Sequence, residues 1–149
     1  MIGLTGTVRL TRLALWRDRF ILPAWLIGLA AFTASTTAMI EESFPTYQDL
    51  LQDTQLVATN PGLRMLGLAS GPTVGAYTMH RDYVTLAVLA ALMSTLAVVR
   101  HTRQNEELGR AEMLGATVVG RYAELAAAVI VGVAANVVLA VLLGLAMMT

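Results

Sequence analysis

Cysteine and lysine are both missing from these 149 residues. Without cysteine there are no disulfides, no thiolate nucleophile, no Cys-ligated zinc and no iron–sulfur cluster. Without lysine there is neither a P-loop lysine nor a Schiff-base nucleophile, so an ordinary Walker A nucleotide site is excluded. Charge is scarce as well. Only 13% of the residues carry it, about half the share of a typical soluble domain. The ten cations are all arginine and meet ten acids, so the basic footprint of a nucleic-acid binder is absent. What abounds is hydrocarbon: 56% of the chain is hydrophobic and the mean hydropathy is +0.66. Lipid, not water, is the solvent this composition suits.

Three stretches contain no charge at all: residues 20–40, 83–99 and 125–149. A helix crosses the roughly 30 Å hydrocarbon layer with about 17–25 apolar residues, and all three runs fit. Inside a membrane a helix satisfies its backbone groups within one segment, so the expected fold is all-α with three transmembrane helices. A compact soluble bundle is the alternative, but its helices would each show a polar face. The first run could also be the core of a signal peptide. It is longer than the usual h-region of about 7–15 residues, and Trp16 and Trp25 bracket its entry as interfacial anchors. An uncleaved span is the better reading.

Arginine sets the orientation. Arg9, Arg12, Arg17 and Arg19 precede the first span, and Arg100, Arg103, Arg110 and Arg121 follow the second. The connection over 41–82 carries Glu41, Glu42, Asp49, Asp53 and Asp82 against Arg64 and Arg81. The pattern places the protein in the plasma membrane, with the N-terminus and the 100–124 connection cytoplasmic and 41–82 outside.

The connections have patterns of their own. Residues 4–19 read as a short helix with Arg9, Arg12 and Arg19 on one face and Leu10, Leu13 and Ala14 on another. Arg17 interrupts the apolar side. Such a helix lies in the headgroup layer or simply extends the first span. Residues 46–60 predict an external amphipathic helix: Tyr47, Leu50, Leu51, Thr54, Val57 and Ala58 share an arc, with Leu56 the exception. Thr46 is its N-cap, Asp49 sits in its first turn, and Asn60-Pro61-Gly62 stops it. The glycine-rich stretch 67–75 reads as a connector. Residues 101–116 predict a charged helix with Glu106 and Arg110 at the favourable i,i+4 spacing. Its Leu108, Met113 and Leu114 suit either a solvated hairpin or docking into a partner's groove.

In the third span Ala128, Gly132, Asn136, Ala140 and Gly144 recur every fourth residue. This small-residue stripe lets another helix approach closely, with one amide to bond across; the alternative is a polar contact on a substrate path. Catalysis has no support. His80 and His101 fall on opposite sides of the membrane, and no His-Glu-x-x-His or Gly-x-Ser-x-Gly run occurs. No Asp or Glu lies within the spans to serve as a proton relay. No catalytic, cofactor or metal residue is therefore expected on this chain.

The run Arg100-His101-Thr102-Arg103, with Glu106-Glu107-x-Gly109-Arg110-x-Glu112-x-Leu114 and Val119-Gly120-Arg121, resembles the first cytoplasmic loop of type-2 ABC exporter permeases. The match extends to Leu4-Thr5-Gly6-Thr7, to Leu13-Ala14-Leu15-x-Arg17-Asp18-Arg19, and to 60–67. It is nearest to the N-terminal portion of the actinobacterial polyketide-antibiotic (tetronasin-type) exporters. The resemblance implies that 4–19 is an interfacial elbow and that 101–116 is a coupling helix held by a separate ATP-binding subunit. Glu106, Glu107, Gly109, Arg110, Glu112 and Leu114 would form the coupling element, and Gly120 and Arg121 the return into the third span. It further implies efflux of a lipophilic small molecule such as an antibiotic. Family permeases are several times longer, with repeated six-span halves, so this chain needs further permease helices or a companion permease chain. A small membrane scaffold or regulatory subunit is the competing function, assembling through the third-span stripe.

Overall fold

The computed structural model describes residues 6–65, 70–107 and 122–148. Every regular element among them is helical: α1 Thr7–Arg17, α2 Ile21–Ser43, α3 Tyr47–Thr59, α4 Pro61–Arg64, α5 Val74–Glu107 and α6 Ala123–Ala146. Three helices are long and apolar enough to cross a membrane, with candidate spans Ile21–Ser43, Val74–Arg100 and Leu125–Ala146. Their outward faces are hydrocarbon. Ile27, Val88, Val133, Val137 and Val141 are all more than half exposed, and only 22%, 22% and 33% of the three spans is buried within the chain. Their buried positions include Thr33, Thr37, Thr78 and Asp82. Apolar faces outside and polar groups inside invert the pattern of a soluble bundle. The chain is a membrane protein.

The chain divides into two compact units, Met1–Trp25 with Ala90–Val138, and Leu26–Leu89 with Leu139–Thr149. The first has an alanine-rich core. Ala14, Ala97, Ala123, Ala127, Ala128 and Ala135 are buried there with Leu22, Met93 and Val131. Within it α1 ends at Arg17 and α2 begins at Ile21, and the cause of the break is Pro23. Its ring displaces the carbonyl four residues back, and it has no N–H to donate to that group. Asp18 bridges the gap through its backbone. Its N–H donates to Ala14 O (3.0 Å), and its carbonyl accepts from Leu22 N (3.0 Å).

The second unit is richer in polar core residues. Thr33, Thr78 and Ile40 are fully buried, and Leu50, Val57 and Leu86 are buried as well. Here α3 is capped by Thr46, whose Oγ1 accepts from Asp49 N (3.3 Å) and donates to Asp49 Oδ2 (2.6 Å). Asn60 ends α3 and opens α4, its Oδ1 accepting from Gly62 N (2.9 Å) with Pro61 in the first turn. At the start of α5, a Cβ on Gly75 would stand 2.8 Å from Met147 O. Only glycine permits that approach.

Two boundaries differ from expectation. α5 begins at Val74, inside the stretch read as connector and nine residues ahead of the expected span. It also runs past Arg100, the end of its candidate span, to Glu107 as one helix, and the rest of the expected coupling helix over 101–116 lies outside the described residues. The first difference corrects a functional exclusion. Asp82 lies inside the candidate span Val74–Arg100 and is buried. A carboxylate is tolerated there because protein, not lipid, surrounds it.

Candidate functional site

In the first unit three polar side chains converge where α1, α2 and α5 meet. The inward side of α1 passes through half-buried Leu10, buried Ala14 and half-buried Arg17, and continues to the buried C-cap Asp18, four residues beyond Ala14. Arg17 belongs on this stripe because its guanidinium donates from Nη2 to the main-chain carbonyl of Arg100 (3.2 Å). The apparent interruption in the amphipathic pattern is thus the contact itself. Asp18, 2% exposed, faces Arg100 Nη1 at 3.5 Å. The two ends of one dipeptide therefore hold both the backbone and the side chain of Arg100, seven residues before α5 ends.

Against this junction lies a cavity of about 360 Å³, within the size range of small-molecule pockets, about 300–1,000 Å³. Ile21, Leu22, Trp25, Met93, Leu96, Ala97 and Val99 form its apolar wall, and Asp18 and Arg100 its polar end. Trp25, read as an interfacial anchor, lines this space. Trp16 behaves differently. It is exposed, with the Arg19 guanidinium 4.7 Å from its ring centroid and 4.8 Å from that of Phe20. These cation–π contacts occupy Arg19 away from the cavity.

The same unit contains a polar link between α6 and α5. Asn136 Nδ2 donates to Ser94 Oγ (2.8 Å) and to Gly132 O (2.8 Å), and Ser94 Oγ donates to Ala90 O (2.8 Å). Of the stripe expected to pack, Ala128 and Gly132 are buried, Asn136 and Gly144 half-buried, and Ala140 exposed. A Cβ on Gly132 or Gly144 would meet no neighbour within 4 Å among the described residues. The face of α6 that is buried runs instead through Ala127, Ala128, Val131, Ala135 and Leu139.

In the second unit a polar cluster went unnoticed in the sequence. Tyr77 donates from its hydroxyl to Asp53 Oδ2 and stacks edge-on to Phe44 at 5.4 Å. Thr78 Oγ1 lies 3.4 Å from Thr37 Oγ1. Thr33 Oγ1, His80 Nδ1 and Asp82 Oδ2 are buried without a hydrogen-bond partner among the described residues. Hydropathy hid these groups, since threonine and tyrosine pass unremarked in an apolar run. The Tyr77–Asp53 bond gives no periodic signal either, because its partners are 24 residues apart in the chain.

Of the residues assigned to coupling, Glu106 and Glu107 form the last turn of α5. Gly109, Arg110, Glu112, Leu114, Gly120 and Arg121 lie outside the described residues. No three His, Asp or Glu side chains among the described residues are grouped to hold a metal ion.

Comparison with known proteins places these helices in a family. The multidrug efflux system permease protein Rv1217c of Mycobacterium tuberculosis (strain ATCC 25618 / H37Rv) is 38% identical over 125 residues. That alignment takes in 81% of this chain and 22% of the relative, so the chain spans about a fifth of the relative's length. A family profile described as "Multidrug efflux system permease Rv1217c, C-terminal domain" matches residues 9–149. Its description corrects the expectation of an N-terminal portion. With nearly every described residue covered, the chain belongs to the family of the C-terminal domain of multidrug efflux system permease Rv1217c.

Proposed function

We propose that this chain is a three-span part of the permease of an ATP-driven multidrug exporter, oriented with its N-terminus in the cytoplasm. The carrying observation is the junction at Arg100. There α5 leaves its candidate span, is held by Arg17 and Asp18, and continues as helix through Glu107. A helix extended beyond such an anchor presents its end and the sequence that follows to a partner, and 106–121 hold the residues that resemble a coupling element. In this reading Glu106, Glu107, Gly109, Arg110, Glu112 and Leu114 dock into a cleft of a separate ATP-binding subunit, with Gly120 and Arg121 turning the chain toward α6. ATP hydrolysis resides on that subunit, because the sequence lacks lysine and any nucleotide fingerprint. Closure of the ATPase displaces the end of α5, and the grip on Arg100 passes the displacement to α1 and α2. The remaining permease helices complete the pathway, since three spans enclose no channel with two gates.

The cargo in this reading is a lipophilic small molecule such as an antibiotic, supported by the relative's description as a multidrug efflux permease. The tetronasin-type assignment rests on the resemblance carried by 100–121, with 4–7, 13–19 and 60–67. The test is co-purification of the full-length permease with its ATPase. Replacing Glu106, Glu107 and Arg110 together by alanine is expected to abolish co-purification while membrane insertion is retained. Undiminished binding by the triple variant overturns the coupling assignment.

A further inference from the structure

The polar core of the second unit holds a charge that neither the family description nor the coupling mechanism explains. Thr37 of α2 meets Thr78 of α5, with their Oγ1 atoms 3.4 Å apart. Each hydroxyl proton is committed to its own helix: Thr37 donates to Thr33 O and Thr78 to Val74 O, both at 2.9 Å. The two oxygens therefore turn lone pairs toward each other. Consecutive spans cross a membrane in opposite directions, so one turn back along α2 and one turn on along α5 reach the same level. Those positions are Thr33 and Asp82, 0% and 4% exposed. Thr33 Oγ1 and Asp82 Oδ2 both lack a hydrogen-bond partner among the described residues. Asp82 stands about two turns inside its candidate span, where an uncompensated carboxylate is costly. No basic side chain among the described residues compensates it. Arg81 is exposed and makes no salt bridge. His80 lies about 200° round the helix from Asp82 and packs on Tyr77, whose hydroxyl is given to Asp53. Residues 20–40 and 139–149 carry no charge.

We propose that Thr33, Thr37, Thr78 and Asp82 form a binding site for a sodium ion between α2 and α5. The donors are all oxygen, the set that hard cations take. One carboxylate balances one positive charge, so a monovalent ion leaves the site neutral within the hydrocarbon, whereas a divalent ion leaves it charged. The spacing sets the size. Two oxygens on neighbouring corners around an ion at about 2.4 Å, a distance typical of calcium, stand about 3.4 Å apart. Sodium has nearly the radius of calcium, and potassium needs wider corners. The ion gives Thr33 and Asp82 the partner they lack and ties the two spans together. The site is independent of the coupling reading and stands or falls without it.

The test uses the full-length permease in neutral detergent at mildly alkaline pH, with sodium, potassium or choline chloride at equal ionic strength. Binding of radioactive sodium and the midpoint of thermal unfolding are read together. Sodium is expected to bind and to raise the midpoint over choline, with potassium much less effective. Asp82→Asn is expected to abolish both responses. Thr33→Val and Thr78→Val each remove one neutral ligand and weaken sodium binding about tenfold. Thr95→Val, at an exposed position of α5 whose hydroxyl returns to Ala91 O, leaves binding unchanged. The threonine variants carry the test if Asp82→Asn loses helix content by circular dichroism. The proposal is overturned if sodium and choline act alike on the unsubstituted protein, or if folded Asp82→Asn still responds to sodium. Equal responses to sodium and potassium overturn it as well, since the spacing would then select nothing. So does a midpoint that follows pH and ignores sodium, because Asp82 would then hold a proton.

Discussion

At the scale of single residues, the informative side chains are the few that bond between helices. Asn136 joins α6 to α5 through Ser94, and the Ser94 proton goes on to Ala90 O, so donor and acceptor needs are met along a short relay. Interhelical hydrogen bonds of this type contribute about 0.6 kcal/mol on average and at most about 1.7 kcal/mol in membrane proteins. A double-mutant cycle with Asn136→Leu and Ser94→Ala, read by equilibrium unfolding in mixed micelles, is expected to give a coupling in that range. Additive single effects would mean that the bond contributes nothing. The sequence made Asn136 conspicuous as an amide in an apolar helix, but its partner was invisible. Ser94 is one of several hydroxyls in α5 that can satisfy themselves on the preceding turn, as Thr95 does on Ala91 O.

At the scale of elements, what could be read from the chain depended on how each segment announces its ends. The three spans were legible because absence of charge is a direct requirement of the hydrocarbon layer. Thr46 and Asn60-Pro61 were legible because caps are local chemistry. The beginning of α5 was not. A rule that stops a span at a charge stops it at Asp82, yet this carboxylate is buried in the protein. The face of α3 was also rotated in the expectation. Leu50, Thr54 and Val57 are buried, while Tyr47 and Ala58 are exposed and Asp53 is half-buried. Asp53 turns inward because Tyr77 donates to it, an attraction that hydropathy does not measure. Two ties therefore hold α3: the Thr46 cap and the Tyr77–Asp53 bond. Thr46→Ala is expected to cost about 1 kcal/mol of local stability, and Tyr77→Phe to act in the same direction. Hydrogen exchange across 47–59 measures both. Unchanged protection in the two variants would show that α3 is held by its apolar residues alone.

At the scale of the whole molecule, the arginine bias gives an orientation that the absence of native thiols makes simple to check. In intact cells a cysteine at Gln52 is expected to react with an impermeant maleimide, and a cysteine at Gln104 only after permeabilisation. The reverse pattern would invert the topology and remove the coupling loop from the compartment of its ATPase. Asp18 gives the same architecture a thermodynamic property. Its backbone closes α1 and opens α2, and its carboxylate faces α5, so three helices share one residue's position. Coupling through such a contact is reciprocal. If ATPase docking beyond Glu107 changes the strength of the Arg100–Asp18 contact, that contact must change the docking affinity by the same factor. Loosening that one ion pair would then loosen the motor's hold on the pump without altering the surface on which it docks.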